Sequence, residues 1–344
     1  MKVLGIGQVM VDIIYSVDED FLAVHNLEPN DQIIATTDNH AAVFENLPKS
    51  AKFKIGGGTL NMIRSAKHVN NKNICVFTSS IGSINDHFTK FVKNTDLNGI
   101  ETLFFEVDNQ TTAKDVCLLS SNGKNRSIVT SLGAAKFLPD DLARFETAIQ
   151  DEYNVVYIAG YFTNVVDCEK IFEIIERLKV GLLATNLSAK FLVRHQKTRL
   201  NALLKKSDII FGNKDEAIEW YLERHRENVE LQVKCFLDGQ NCSTFYPDFQ
   251  ELLTELAQFC DKEVLVVITD GANGVYWKTK GEHGFRKFQP EKVENVVDTS
   301  CAGDTFVGAF LGSLKSKNEE DVLEAVRTGC ETAAKVIQGY GFCL

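Results

Sequence analysis

The stretch DTSCAGDTFVGAF, residues 298–310, passes from small residues into an almost wholly apolar segment. Ser300, Cys301, Ala302 and Gly303 are small, and Asp304 stands where helix-forming residues begin. Phe306, Val307, Ala309, Phe310 and Leu311 cover most of a helix circumference, which predicts a buried helix. The start of such a helix exposes unpaired N–H groups at the positive end of its dipole. Small residues ahead of it let an anion approach those groups closely. Asp304 on the first turn would repel a phosphate, yet it is well placed to take a proton from a hydroxyl attacking one. An ordinary N-terminal cap accounts for the same carboxylate equally well.

A helix this apolar needs layers on both sides, and the rest of the chain offers them. VLGIGQVMVDI, NICVFTSSIG, NVVYIAGYF, GLLATNLSA, SDIIFGN and EVLVVITDG read as strands. TLNMIRSAKHV, DHFTKFVKN, DCEKIFEIIERLK and DEAIEWYLERH between them carry helical periodicity. Near-continuous Val/Ile/Leu strands alternating with amphipathic helices predict an α/β fold with a mostly parallel central sheet sandwiched by helices. In such sheets ligands bind beyond the carboxyl ends of the strands.

Two regions break the alternation. Residues 14–55 hold no long helical pattern, and residues 100–131 read as strands, with SNGK at 121–124 as a hairpin turn. They are expected to form a small β-rich lid over a large core of residues 1–13, 56–99 and 132–344; long surface loops are the alternative. Residues 224–262, polar and irregular before ELLTELAQF, read as a peripheral excursion.

Further clusters carry chemistry. GGGTLN puts three glycines before a helix whose first turn holds Asn61, which suits either a binding loop or a hinge. Asp12 at the end of the first strand is placed to accept bonds from two hydroxyls, unless it is a surface turn carboxylate. Asn213 and Glu216 in FGNKDEA are one helical turn apart where a strand meets a helix. That spacing fits a metal–phosphate group or, equally, a capping pair.

Composition excludes several classes. The chain has 344 residues, which at about 150 per domain suggests one large domain and a smaller one. The net charge of −10 argues against a nucleic-acid binder, which needs a basic footprint. No apolar run spans a membrane, and the N-terminal stretch reads as a strand rather than a leader, which points to the cytoplasm. Nine cysteines without a CxxC pair read as buried, reduced thiols, and seven scattered histidines offer no transition-metal spacing.

GGGTLN, NKDE and DTSCAGDTF, in that order, resemble the signatures of the PfkB or ribokinase-like family of small-molecule kinases. The resemblance spans nearly the whole chain. Within that family LEPNDQIIA (27–35), YIAGYF (157–162), NLSAKF (186–191) and IIFGNKDEA (209–217) are similar to segments of adenosine kinases. The resemblance implies transfer of the ATP γ-phosphoryl group to the 5′-hydroxyl of adenosine, a purine-salvage step. Asp304 would be the catalytic base, with Cys301, Ala302 and Gly303 forming the anion hole. Asp12, Gly57 and Asn61 would hold the ribose, and Gly58, Gln32, Phe162 and Phe191 would shape the purine pocket close to Gln8. Asn213 and Glu216 would organise Mg²⁺ and the ATP phosphates, the Mg²⁺ reached through water, with Arg126 arriving from the lid. Thr269 and Gly271 would lie near the ATP base or ribose. Asp298 would sit on the structural or monovalent-cation side of the loop, where K⁺ is a candidate. A monomer is implied. The chain departs from the usual D-T-N-G-A-G-D at Ser300 and Cys301, from Asn at Gln8 and from Leu at Met10.

Overall fold

The computed structural model describes residues 1–29, 32–45, 47–83, 87–121, 125–136, 152–166, 168–226 and 247–344. The side chains of Gln32 and Cys168 lie outside that set, as do the tip of the 121–124 turn and residues 227–246 of the excursion.

Among the described residues the larger sheet has nine strands. Their spatial order is Arg286–Phe288, Val275–Thr279, Leu265–Thr269, Ile209–Asn213, Lys179–Asn186, Glu152–Ile158, Lys2–Ile6, Ile74–Gly82 and Glu101–Val107. Seven neighbours run parallel, and the Val275–Thr279 and Arg286–Phe288 strands close one edge antiparallel. The unbroken apolar runs follow from burial on both faces. Leu265 and Val267 pack with Phe306 and Phe310 on one side, while Val266 and Ile268 pack with Trp220 and Leu253 on the other. Phe249–Phe259 is a helix of that second layer, so this part of the 224–262 stretch packs in the core rather than forming a peripheral excursion.

A second, mixed sheet holds, among the described residues, five strands in the order Gln32–Ile34, Asn125–Ser131, Lys114–Ser120, Met10–Ser16 and Lys52–Gly56. It forms the lid. Two details differ from the sequence reading. Glu101–Val107, assigned there to the lid, pairs with Ile74–Gly82 at the edge of the larger sheet. VLGIGQVMVDI is two strands in two different sheets, so Asp12 lies inside a lid strand rather than at the end of the first core strand. The crossing occurs over residues 7–9, where the Val9 N–H donates to Ser79 Oγ at 2.8 Å. The chain crosses back at Gly57, whose φ of 110° is open to glycine alone in practice.

Among the described cysteines Cys75, Cys117 and Cys260 are buried and Cys301 and Cys330 half-buried, but Cys343 is exposed, against the expectation of buried thiols throughout. No helix among the described residues is long and apolar enough to cross a membrane.

Candidate active site

The helices Gly58–Val69 and Ala302–Ser313 lie side by side and start at the same place. Gly308 sets their approach: a methyl group there would come within 2.0 Å of the Met62 carbonyl oxygen. Ser65 Oγ donates to the Thr305 carbonyl at 2.7 Å, and Asn73 Nδ2 donates to the carbonyls of Ala66 and Gly312 at 3.0 and 2.8 Å. Held this way, the two first turns face each other. Asn61 Nδ2 donates to Cys301 Sγ at 3.3 Å and Asp304 Oδ2 at 3.4 Å, while Asn61 Oδ1 is buried without a protein partner. Native structures rarely leave such an atom unsatisfied, so it marks a place for a ligand or solvent donor.

The turn before Asp304 is strained where the sequence departs from the pattern it resembles. Cys301 has φ 63° and ψ 0°, the left-handed conformation in which the pattern has glycine. For an L side chain that costs about 1–2 kcal/mol, against about 0.5–1 kcal/mol for the extra freedom glycine loses on folding. Cys301→Gly is therefore expected to raise stability by roughly 0.5–1 kcal/mol, measured as a higher urea midpoint at unchanged slope. A lower midpoint would mean that the thiol's contact with Asn61 outweighs the backbone strain.

The anion-hole residues are only partly as expected. Gly303 is exposed, with open space where a side chain would stand, and its N–H lies in the first turn where the helix supplies no acceptor. The Ala302 N–H, by contrast, turns back to the Thr299 carbonyl at 3.3 Å, closing the turn and weakening its claim on an anion. Asp298 braces the loop: its oxygens accept from the N–H groups of Ser300 at 2.8 Å and Gly341 at 2.9 Å. Although burial pushes its carboxyl up, those bonds and the Arg126 charge hold it below the usual range. Arg126 reaches from the lid to the same loop, donating to Ser300 Oγ and lying 3.8 Å from Asp298 Oδ1.

Between the lid and the larger sheet lies a cavity of about 430 Å³. Of the residues expected to bind substrate, Gln8, Asp12, Gly57, Gly58 and Asn61 line it with Asp304, and Phe162 and Phe191 line its other side. The Gln32 side chain lies outside the described residues; Ile33 and Ile34 from the same strand line the cavity. Phe162 is buried and Phe191 sits at the rim, its ring centroid 6.0 Å from that of Tyr161. The loops carrying these rings are tied together. Gly160 N–H donates to Asn186 Oδ1 at 2.9 Å and Tyr161 N–H to Ser188 Oγ at 3.1 Å. Gln8 Nε2 donates to the Ala135 carbonyl at 3.3 Å.

The carboxyls here are poorly hydrated. Burial raises Asp304 to about 6, opposed by the bond from Asn61. Burial and the neighbouring Asp115 raise Asp12 to about 7, with Arg126 and Lys54 pulling the other way. Asp115, which lines the same cavity, was missed from the sequence. Its signal was an aspartate inside the apolar strand pattern of KDVCLLS, where that residue type is disfavoured.

Asn213, Glu216, Thr269 and Gly271 lie apart from this lining, at the carboxyl ends of two paired strands where Asn213 stands opposite Thr269. Asn213 and Glu216 form the capping box that their spacing allowed: Asn213 Oδ1 accepts the Glu216 N–H at 2.9 Å, and Glu216 Oε2 accepts the Asn213 N–H at 3.1 Å. Burial raises Glu216 to about 7, and Asp304 is near enough to add to the shift. The capped Glu216 thus stays within electrostatic reach of Asp304. Among the described residues no three His, Cys, Asp or Glu side chains cluster as metal ligands.

Known proteins agree with this architecture. The family described as pfkB family carbohydrate kinase matches residues 28–344. Adenosine kinase 2 of Arabidopsis thaliana is 29% identical over 353 residues, covering 98% of this chain and 94% of that protein. Adenosine kinase of Saccharomyces cerevisiae is 26% identical over 98% of this chain and 94% of its own length. Among solved structures, Trypanosoma brucei brucei adenosine kinase superposes with a TM-score of 0.79 at 22% identity, covering 98% of this chain and 99% of the other. Schistosoma mansoni adenosine kinase in complex with 2-fluoroadenosine gives 0.77 at 24%, covering 99% and 96%. The fold is ribokinase-like, a large mostly parallel sheet with helices and a smaller mixed sheet as lid. The chain belongs to the pfkB family of carbohydrate kinases and is an ATP-dependent phosphotransferase.

Proposed function

We propose that this chain transfers the γ-phosphoryl group of ATP to the 5′-hydroxyl of adenosine, giving AMP and ADP. The observation that carries this reading is the make-up of one cavity. Aromatic rings and Ile33 flank a slot for a flat base, Asp12 offers an acceptor for ribose hydroxyls, and Asp304 stands at the mouth of the Ala302–Ser313 helix. The relatives that cover the chain end to end bear the name adenosine kinase. The unpartnered Asn61 Oδ1 adds a second acceptor for a sugar hydroxyl.

In this reading Asp304, ionised above about pH 6, accepts the proton of the attacking hydroxyl. Its bond from Asn61 fixes the carboxylate, and the N–H of Gly303 with the helix dipole stabilises charge on the migrating group. Arg126, tied to Ser300, adds positive potential at that spot. Glu216, beside Asn213 at the strand end, offers a carboxylate that would hold Mg²⁺ with phosphate and water completing its oxygens, the usual manner for this cation. The ion would supply charge neutralisation for the transferring phosphate. Thr269 and Gly271 border the nucleotide side. Closure of the lid excludes water and so suppresses ATP hydrolysis.

Turnover on adenosine, inosine, guanosine, ribose and fructose tests the substrate. Adenosine is expected to lead in kcat/KM by about tenfold or more, the scale of contacts confined to one pocket. A lead for ribose or fructose would assign the chain to another member activity of the family, and a lead for inosine or guanosine would trace to Gln8.

A further inference from the structure

Asp115 has no role in the chemistry above, yet it faces the substrate cavity. Register explains how it gets there. Across the lid sheet Ile34 stands opposite Thr130, Thr130 opposite Asp115, and Asp115 opposite Asp12. All four line the cavity, so they form a single row running from an apolar end at Ile34 to an acidic end at Asp12. The Thr130 hydroxyl donates to the Asp115 carboxylate, while Asp115 Oδ1 is buried with no protein partner. A carboxylate oxygen withdrawn from water and left without a donor is costly, so its survival in a binding cavity points to a donor on the ligand. Two carboxylates side by side also repel. Burial raises both carboxyls, Asp115 to about 6 and Asp12 to about 7, and the opposing Arg126 charge eases their sharing of one wall.

Neighbouring strands are about 4.8 Å apart, and a vicinal diol fits within that spacing. One hydroxyl then donates to each carboxylate. Asp115 is the carboxylate nearer the apolar end, where the base lies, so it meets the hydroxyl next to the base. We propose that Asp115 is a specificity-determining substrate-binding residue that accepts the hydrogen bond of the ribose 2′-hydroxyl, leaving the 3′-hydroxyl to Asp12. The assignment rests on the adenosine reading and makes the enzyme selective for ribonucleosides over 2′-deoxyribonucleosides.

The test compares kcat/KM for adenosine, 2′-deoxyadenosine and 3′-deoxyadenosine in wild type, Asp115→Val and Asp115→Asn. Wild type should prefer adenosine over the 2′-deoxy compound by about tenfold or more, the scale of a hydrogen bond to a charged group. Asp115→Val should lower adenosine and 3′-deoxyadenosine by about that factor and leave 2′-deoxyadenosine within about twofold. Asp115→Asn, whose amide oxygen still accepts, should keep most of the preference. An equal loss on all three substrates, or an unchanged preference in Asp115→Val, overturns the assignment alone. Absence of adenosine turnover in the wild type overturns the adenosine reading and the assignment with it. If Asp115→Val fails to fold, Asp115→Ala is scored by the same ratios.

Discussion

Asp304→Asn is expected to lower kcat by about 100-fold or more, the usual scale for a general base. KM for the alcohol should stay within about threefold, because the amide keeps the shape that Asn61 holds. The same change should stabilise the fold. Burial raises the Asp304 carboxyl from 3.8 to about 6, so the folded state destabilises the ionised group relative to the unfolded chain. Above about pH 6 both states are ionised and the penalty is complete. As pH falls the folded protein takes up the proton first, and below about 3.8 the penalty is gone. The variant should thus gain up to about 3 kcal/mol at pH 7 and nothing near pH 3.5, read from urea melts at the two pH values. In wild type, log kcat should fall with unit slope below about pH 6. That limb should vanish in the variant, whereas Asp12, raised to about 7, titrates in KM. A variant with near-normal turnover would remove Asp304 from the chemistry.

Gly308→Ala should be the most damaging small change in the scaffold. In an exposed helix interior, alanine for glycine stabilises by about 1 kcal/mol. Here the added methyl meets the Met62 carbonyl oxygen at 2.0 Å and Ser65 Cβ at 2.7 Å, so backbone has to move. A loss of about 3 kcal/mol is expected, at the upper end for overpacking. Because that contact also sets the distance between Asn61 and Asp304, turnover should fall by at least about tenfold. Gly303→Ala, which meets open space, is the stability control and should not lower the melting temperature. Equal melting of both variants would show that the helix pair yields more easily than its packing indicates.

Residues differ in how plainly the sequence declared them. Phe306, Val307, Ala309, Phe310 and Leu311 were legible as buried because helical periodicity is local, and all five are buried. The alternating strands were legible for the same reason. Sheet membership was not. Glu101–Val107 has the composition of its lid neighbours, and only its pairing with Ile74–Gly82, some 25 residues back in register, places it in the core. GIGQVMVDI hides its crossing because the apolar pattern continues unchanged from one sheet to the next. Asn213 and Glu216 show spacing at its limit: the same interval suits a cap or a polar pair at a phosphate, and the structure shows the cap, with Glu216 in the field of Asp304. Asp115 was overlooked because its partner, Asp12, is about 100 residues away and joins it only through the register of the lid.

The most direct measurement of the central claim is product formation from γ-labelled ATP and Mg²⁺ with and without adenosine. The account predicts label in AMP, one ADP formed per AMP, negligible ADP when adenosine is withheld, and loss of both products in Asp304→Asn. ADP released at the same rate without adenosine, or label transferred undiminished by Asp304→Asn, would contradict it.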